Sequence, residues 1–346
     1  MGDKMKAVVK KDPAFGAELV EMEVPEVGPE QVLIRVKSTS ICGTDYHIYI
    51  WNEWARKNIN LPQIMGHEVA GEVVRVGERV KKVKVGDYVS SETHIPCGMC
   101  YQCLTGNQHI CKSMKILGVH TDGVFADYAL LEEVDVWPND PLIPPAYASV
   151  QEPLGNAIDT IRAGDVSGKN ILITGAGPVG LLAVGVARIF GATKIIVSEP
   201  NGYRREIAKE MGADLIVNPL KEDLEYIVKN LTSGKGVDFV AEMSGNQSAL
   251  KQGLKLLTPG GRMALLGIPD QEVTLNLTGD VIFKGIKLIG ITGREMFRTW
   301  YIAGRLIKEK RLDLDPVITH HFSLEDFARG MELMKSGDCG KIVLYP

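Results

Sequence analysis

The chain has 346 residues, of which 45% are hydrophobic and 24% are charged, a composition typical of soluble globular proteins. A chain of this length is longer than a typical domain with a single hydrophobic core, and this predicts two domains. The formal net charge of -4 offers no basic excess that would attract nucleic acid or an anionic membrane surface. The charged N-terminal segment is unlike a signal peptide, and no run of about 18 apolar residues predicts a membrane span. We therefore expect a cytoplasmic protein without nucleic-acid or membrane partners.

Residues 1–155 are predicted to form a β-rich domain. Short β-branched or alternating segments, separated by Gly and Pro, include AVVK, VLIRVKS, EVAGEVVRVG and GDYVSS. Over residues 156–296 strands alternate with helices, from NILITG to RMALLGI, which predicts a parallel sheet covered by helices on both faces. The helical segment TWYIAGRLIKE and the strand KIVLYP are expected to rejoin the first domain, so that residues 297–346 make it discontinuous.

A glycine-rich turn, GAGPVG, follows the predicted strand NILIT and precedes a helix. Gly175 permits a tight turn, Gly177 lets the backbone approach a pyrophosphate, and Gly180 lets the helix pack closely on the strand. The N-terminus of that helix supplies N–H groups and the positive end of a dipole. The glycine spacing alone is weak, but the strand–turn–helix context is the one that a dinucleotide site requires. The alternative is a doubly wound domain without a nucleotide.

Glu199 ends the next predicted strand, KIIVSEP, and indicates which dinucleotide binds. A carboxylate there accepts hydrogen bonds from ribose hydroxyls and repels a 2′-phosphate, which favours NAD over NADP. Arg204 and Arg205 follow closely and keep the alternative open, because they either hold a phosphate or are solvated helix charges.

Four cysteines, Cys97, Cys100, Cys103 and Cys111, lie within fifteen residues. Four thiolates form a closed tetrahedral zinc site, so we predict a structural zinc in a lobe over residues 94–113. An iron–sulfur cluster is the competing interpretation, but nothing else in the chain indicates electron transfer. A second, dispersed set comprises Cys42, His67, Glu68 and Glu152, and its spacing alone would be weak support for a metal site.

Several segments together resemble a known family. SICGTDYH, GHEVAGEVVRVG, the four-cysteine lobe and GAGPVG occur in the order seen in zinc-dependent medium-chain alcohol dehydrogenases, and the similarity spans essentially the whole chain. The resemblance implies an α/β fold with a doubly wound Rossmann domain, a discontinuous GroES-like β-rich catalytic domain and a cleft between them. It also implies a homotetramer. QEPLGNAIDT and GITGREMFRTWY resemble in particular the branch that oxidises the 3-hydroxyl of L-threonine.

The same resemblance implies that Cys42, His67 and Glu68 hold a catalytic zinc, with Glu152 ligating in turn or acting in the proton pathway. Three protein ligands leave one zinc position for the alcohol, which would lose its proton and then transfer hydride to the nicotinamide. Thr44 and His47 are expected to carry the proton towards solvent.

The remaining site residues concern substrate and cofactor. His94 lies three residues before Cys97, the first cysteine of the lobe, and is expected to contact the substrate, with simple packing as the alternative. The resemblance adds a set of cofactor-binding residues near predicted turns and strand ends: Val179, Arg204, Leu266, Gly267, Ile268, Ile291 and Thr292.

The residues by themselves support only a secondary alcohol as the small-molecule substrate. A polyol such as sorbitol, or 2,3-butanediol, would be handled by the same motifs. A non-catalytic NAD(H)-binding sensor is the alternative from another class of protein. Zinc content separates an enzyme from a non-catalytic sensor. Two zinc ions per chain favour the enzyme, and one favours a protein in which only the four-cysteine lobe binds zinc.

Overall fold

A computed structural model describes residues 3–346. The chain divides into two compact units, one comprising residues up to 152 with 295–309 and 318–346, the other comprising 153–294 and 310–317. The sequence placed these borders at 155 and 297 and assigned the whole tail to the first domain. In the structure the segment 310–317 belongs to the second unit because its apolar side chains are buried there. Leu312 and Leu314 are 5% and 0% exposed, and Leu312 packs against Gly185.

The helices and strands are numbered in chain order. Those up to residue 150 are β1 (Lys4–Lys10), β2 (Glu18–Glu23), β3 (Gln31–Ile41), α1 (Gly43–Tyr49), α2 (Glu53–Asn58), β4 (Gln63–Ile64), β5 (Glu68–Val76), β6 (Tyr88–Ser91), β7 (His94–Ile95), α3 (Tyr101–Leu104), β8 (Lys115–Ile116), β9 (Tyr128–Glu132), β10 (Val136–Pro138) and α4 (Pro145–Ser149). Those from residue 151 to 231 are α5 (Gln151–Gly164), β11 (Asn170–Thr174), α6 (Pro178–Ile189), β12 (Lys194–Ser198), α7 (Gly202–Glu210), β13 (Leu215–Val217) and α8 (Leu224–Leu231). The rest are β14 (Val237–Glu242), α9 (Gln247–Leu256), β15 (Leu257–Leu265), β16 (Lys287–Gly290), α10 (Arg298–Lys308), β17 (Ile318–Ser323), α11 (Phe327–Ser336) and β18 (Lys341–Tyr345).

The first unit is built on mostly antiparallel strands. Its largest sheet has the order β10-β6-β5-β3-β18-β17, with β9 also pairing with β3. In the β3–β5 register Ser40 faces Glu68, and in the β18–β3 register Ile342 faces Ile41. These pairings bring the end of β3, the start of β5 and the start of β18 to one place, although they are far apart in sequence.

The second unit contains a parallel sheet in the order β13-β12-β11-β14-β15-β16. Its central strand β11 is apolar and buried, because helices cover both faces of such a sheet. The strand order reverses between β11 and β14, which is where open α/β sheets bind ligands beyond the carboxyl ends of the strands. The predicted fold class, a doubly wound sheet plus a GroES-like β-rich domain, is confirmed. None of the helices in residues 3–346 combines the length and apolar character needed to cross a bilayer.

Candidate functional site

The dispersed residues Cys42, His67 and Glu68 come together in the first unit. Their ligand atoms all lie within 4.8 Å of one another. Cys42 follows β3 and precedes α1, whereas His67 and Glu68 stand at the start of β5, so the β3–β5 pairing brings them together. A thiolate, an imidazole and a carboxylate at this spacing are a donor set that zinc accepts.

Asp45 orients this donor set and was missed in the sequence. It is fully buried on α1, where its Oδ1 lies 3.3 Å from His67 Nδ1 and its Oδ2 accepts the backbone N–H of Cys42 at 2.8 Å. Because Asp45 faces Nδ1, the Nε2 atom of His67 is the one available to a metal. Burial alone would lower the pKa of His67, but Asp45 and Cys42 together raise it well above its usual value. The Cys-x-x-Asp spacing at the start of a helix was the available signal, since it is a capping pattern.

Glu68 has partners besides the metal set. It is fully buried, and its Oε1 accepts a hydrogen bond from Lys341 Nζ at 2.6 Å. Lys341 also donates to the carbonyl of Ile41 at 2.9 Å, and the Ser40 hydroxyl donates to Glu68 Oε2. Burial raises the pKa of Glu68, and Lys341 opposes that effect. Lys341 therefore compensates the buried charge, and a metal bound by Glu68 would share this carboxylate with it.

Glu152 lies near this set but is not among the three grouped ligands. It is 5% exposed at the start of α5, and its Oε1 accepts a hydrogen bond from the Thr93 hydroxyl at 3.1 Å. Its charge acts on Glu68, so the two carboxylates are neighbours. The structure thus groups Glu68, and not Glu152, with the ligand atoms of Cys42 and His67.

Thr44 and His47 lie three residues apart on α1, which puts them on one face of the helix. Thr44 Oγ1 is 3.9 Å from Cys42 Sγ, next to the metal set. His47 is exposed, and its Nδ1 lies 3.0 Å from Asn52 Nδ2. One residue is therefore beside the metal set and the other reaches solvent, as a proton path requires.

His94 occupies the strand β7 ahead of the cysteine lobe, with its side chain 12% exposed. Its Nδ1 is 2.8 Å from Oε1 of the buried Glu92. The hydroxyl of Thr93 lies 3.5 Å from His94 Nδ1 and donates to Glu152 Oε1 at 3.1 Å, so His94 lies near Glu152. Neither Glu92 nor its partner Trp300 was singled out as functional in the sequence, because the two residues are 208 positions apart.

The four lobe cysteines also lie together, with their Sγ atoms within 4.8 Å of one another. Cys100 Sγ is 3.5 Å from Cys103 Sγ and 3.8 Å from Cys111 Sγ. Zinc–sulfur bonds of about 2.3 Å in a tetrahedron place the sulfurs about 3.8 Å apart, so the set fits a structural zinc. The backbone N–H groups of Cys97 and Ser113 point to Cys111 Sγ at 3.3 Å, and such donors stabilise thiolate charge. All six cysteines, including Cys339, are free of disulfides.

The glycine-rich turn lies at the carboxyl end of β11 in the second unit. Gly175 has φ of +88°, and a Cβ atom there would lie 2.8 Å from the Cβ of Ser244. A Cβ at Gly180 would lie 2.1 Å from the carbonyl oxygen of Gly175. Only glycine is compatible with both positions, and the N-terminus of α6 is left open next to Gly177.

A cleft of about 700 Å³ in this unit has Gly175, Gly177, Glu199 and Arg204 among its lining residues. Glu199 is 5% exposed at the end of β12. Its two oxygens accept the backbone N–H groups of Ala176 at 2.7 Å and Asn201 at 2.8 Å, which fixes the carboxylate at the mouth of the turn. The size of the cleft, the open N-terminus of α6 and the carboxylate of Glu199 fit the adenosine and the pyrophosphate of a dinucleotide.

The other predicted cofactor residues lie outside the lining of this cleft. Val179 is in the first turn of α6, and the remaining five follow β15 and β16 at the carboxyl edge of the sheet: Leu266, Gly267, Ile268, Ile291 and Thr292. Glu242 orders this edge and was missed. Its backbone carbonyl accepts the N–H of Leu266 at 2.9 Å and of Gly267 at 3.0 Å, while its side chain accepts the N–H of Ser244 at 3.0 Å.

Comparison with known proteins identifies both halves of the chain. The model for the alcohol dehydrogenase GroES-like domain matches residues 28–143, and the model for zinc-binding dehydrogenases matches residues 178–309. A curated L-threonine 3-dehydrogenase of Pyrococcus horikoshii is 53% identical over 99% of both chains. The curated L-threonine 3-dehydrogenase of Bacillus subtilis is 51% identical, again over 99% of both. Among solved structures, the 2R,3R-butanediol dehydrogenase of Bacillus subtilis superposes with a TM-score of 0.90 at 28% identity, over 99% of both chains.

Proposed function

The chain belongs to the zinc-dependent medium-chain alcohol dehydrogenase family, and we propose that it oxidises the 3-hydroxyl of L-threonine to 2-amino-3-oxobutanoate with NAD. The observation that carries the proposal is the donor set of the half-buried Cys42 and the buried His67 and Glu68, with ligand atoms within 4.8 Å of one another. The relatives named for this reaction are about half identical to the chain over nearly its full length, which supports L-threonine as the substrate.

Cys42, His67 and Glu68 would hold the catalytic zinc, and Cys97, Cys100, Cys103 and Cys111 the structural zinc. A bound catalytic zinc supplies Lewis acidity, which makes the substrate hydroxyl easier to deprotonate. Asp45 keeps the imidazole of His67 in the orientation that leaves Nε2 to the metal. Glu152 stays beside the set as an acid–base or binding group, and we give it direct ligation only as a secondary role.

Proton removal is assigned to α1. Thr44 Oγ1 lies next to the metal set, where it would accept a hydrogen bond from the substrate hydroxyl and pass its own hydroxyl proton on towards His47. His47, at the exposed end of the same face, would release a proton to solvent. Acid–base groups in such positions contribute about 10²- to 10⁴-fold to rate.

Cofactor binding is assigned to the second unit. The turn from Gly175 to Gly177 would bind the pyrophosphate, and Gly180 lets α6 pack closely behind it. Glu199 would accept hydrogen bonds from the adenosine ribose hydroxyls, which favours NAD over NADP. Val179 and Arg204 would complete the adenosine half. The residues after β15 and β16 would face the nicotinamide half: Leu266, Gly267, Ile268, Ile291 and Thr292.

The amino acid distinguishes this proposal from the polyol and butanediol alternatives. Threonine brings an ammonium group, and the carboxylate of Glu152 close to the metal set offers it a counter-charge. The butanediol dehydrogenase is only 28% identical, against 53% for a threonine relative. A sensor without catalysis would have no need of the ligand set with Thr44 and His47 beside it.

We further propose that the protein is cytoplasmic and that it forms a homotetramer. Light scattering of the purified protein would test the tetramer, because it measures the molar mass in solution.

The test of the proposed function is NADH formation at 340 nm by zinc-loaded protein, with L-threonine, D-threonine, sorbitol and 2,3-butanediol assayed in parallel. We expect strong activity with L-threonine and NAD, and its loss in Cys42→Ser. Thr44→Val should lower kcat by about 10²-fold or more, while Thr44→Ser retains activity because the hydroxyl remains. Activity confined to the diol or polyol would refute the threonine assignment and keep the zinc chemistry.

A further inference from the structure

Glu92 is a buried carboxylate that the proposed zinc chemistry does not use. It is 0% exposed, and its Oε1 accepts hydrogen bonds from His94 Nδ1 at 2.8 Å and from the backbone N–H of Thr93 at 3.1 Å. Its Oε2 accepts from Trp300 Nε1 at 2.6 Å. Burying a carboxylate costs several kcal/mol unless donors surround it, so a set of donors this complete holds a charged group in one orientation.

Trp300 makes that orientation rigid. It lies on α10 with 0% exposure, and its ring is 5.8 Å from the ring of Trp137 on β10. Trp137 in turn stacks on Phe297 with a centroid distance of 5.6 Å. The packed rings hold the indole N–H of Trp300 pointing at Glu92. A rotation of the Glu92 side chain would leave this N–H without a hydrogen bond in the protein interior.

The consequence falls on His94. An ionised carboxylate only accepts hydrogen bonds, so the Nδ1 atom of His94 carries a proton. In the neutral ring the Nε2 atom is then a hydrogen-bond acceptor. The hydroxyl of Thr93 lies 3.5 Å from His94 Nδ1 and donates to Glu152 Oε1 at 3.1 Å, so the ring of His94 lies near the carboxylate of Glu152.

We propose that Glu92 is a positioning residue that holds His94 with Nε2 as the acceptor for the α-ammonium group of an amino-acid substrate. Glu92 and Glu152 both contribute negative charge close to His94, and that environment favours a cation over the substrate carboxylate. The inference rests on the proposed function and adds a basis for choosing an amino alcohol over a plain alcohol.

The test begins with Glu92→Gln in the zinc-loaded enzyme. The amide cannot accept from both His94 and Trp300, because one end of it is itself a donor. We expect the KM for L-threonine to rise about 10- to 100-fold, as for loss of a hydrogen bond involving a charged group, while kcat changes only a few-fold. His94→Ala should have a similar effect. In the double variant the Glu92→Gln change should add nothing, since Glu92 acts through His94.

Two further substrates separate the ammonium from the carboxylate. With 1-aminopropan-2-ol, which keeps only the ammonium, Glu92→Gln should raise KM by the same factor as with L-threonine. With 3-hydroxybutyrate, which keeps only the carboxylate, it should change KM little. Glu72→Gln is the matched control, because Glu72 is a partly exposed carboxylate paired with Lys37 in the same unit.

Additive effects in the double variant, or an equal loss with 3-hydroxybutyrate, would overturn the inference and leave the proposed function standing. A wild-type enzyme inactive with L-threonine would overturn both. If Glu92→Gln fails to fold, Trp300→Phe provides the measurement, since it removes one donor and keeps the carboxylate. It should raise the KM for L-threonine in the wild-type background and not in His94→Ala.

Discussion

Among the residues that are not proposed ligands, Asp45 contacts two of the three side chains or backbones of the proposed catalytic metal site. Its two oxygens contact His67 Nδ1 and the backbone N–H of Cys42, so one carboxylate orients two of the three proposed ligands. Lys341 plays a different part, because it neutralises the buried charge of Glu68. The site therefore depends on side chains that do not themselves hold the metal.

The Asp45→Asn variant tests this dependence. The amide oxygen can still accept the N–H of Cys42, but the negative charge facing His67 is lost. Affinity for the catalytic zinc should fall about 10- to 100-fold, as for other partners of metal-bound histidines. Competition with a chromophoric zinc chelator measures this fall, and Glu72→Gln serves as control. Unchanged affinity in Asp45→Asn would contradict the role given to this residue.

At the scale of elements, one carboxylate links α6, β12 and the segment before β13. Asp214 Oδ2 accepts hydrogen bonds from Arg188 Nη2 at 2.6 Å and from the backbone N–H of Ile195 at 2.8 Å. Burial would raise the pKa of Asp214, but the bonds from Ile195 and Arg188 outweigh it and lower the pKa. The parallel sheet is thus pinned at the amino end of β12, opposite the edge that carries the proposed cofactor site.

Asp214→Asn should lower the free energy of unfolding by about 1 kcal/mol at pH 7, a modest value because the ion pair is partly exposed. Since the folded pKa is lowered, this stabilisation is complete above the unfolded value of about 3.9 and is lost as pH falls through the folded value. Urea unfolding should show the same difference in the free energy of unfolding between wild type and Asp214→Asn at pH 7 and pH 5, and a smaller difference at pH 3.5. Glu225→Gln, which breaks a surface ion pair with Lys229, should lower the free energy of unfolding less than Asp214→Asn does. A difference independent of pH would mean that the charge of Asp214 does not contribute.

At the scale of the whole molecule, the chain offers two candidate metal sites of unlike chemistry. The lobe presents four thiolates, which close a zinc coordination sphere, whereas the other set combines sulfur, nitrogen and a carboxylate shared with Lys341. The first suits a metal that stabilises a loop, and the second suits one that keeps a position open for substrate.

Zinc removal should therefore proceed in two stages. We expect two zinc ions per chain, with a chelator removing the mixed-ligand zinc first and abolishing activity while the thermal midpoint changes little. Loss of the second should destabilise the lobe and lower the midpoint. Cys100→Ser should retain one zinc, and Cys339→Ala should retain two, because Cys339 belongs to neither set and is buried with its Sγ near the carbonyl of Leu333. Simultaneous loss of both metals would contradict the assignment of different roles.

The sequence by itself determined the fold class and named the residues of the four-cysteine set. Those inferences use short-range signals: the alternation of strands and helices, glycines around a turn, and cysteines a few residues apart. The family resemblance linked the more distant Cys42 and His67. The sequence did not predict that residues 310–317 belong to the second unit. The burial of Leu312 and Leu314 depends on which residues of the folded chain lie beside them.

Only the tertiary structure decided which distant side chains support the site. Lys341 meets Glu68 across 273 positions, and Trp300 meets Glu92 across 208. Strand register and helix packing create such contacts, and neither leaves a local pattern in the chain. A buried charge must find its partner wherever the fold brings one, so the residues that position the chemistry emerged only when the chain was folded.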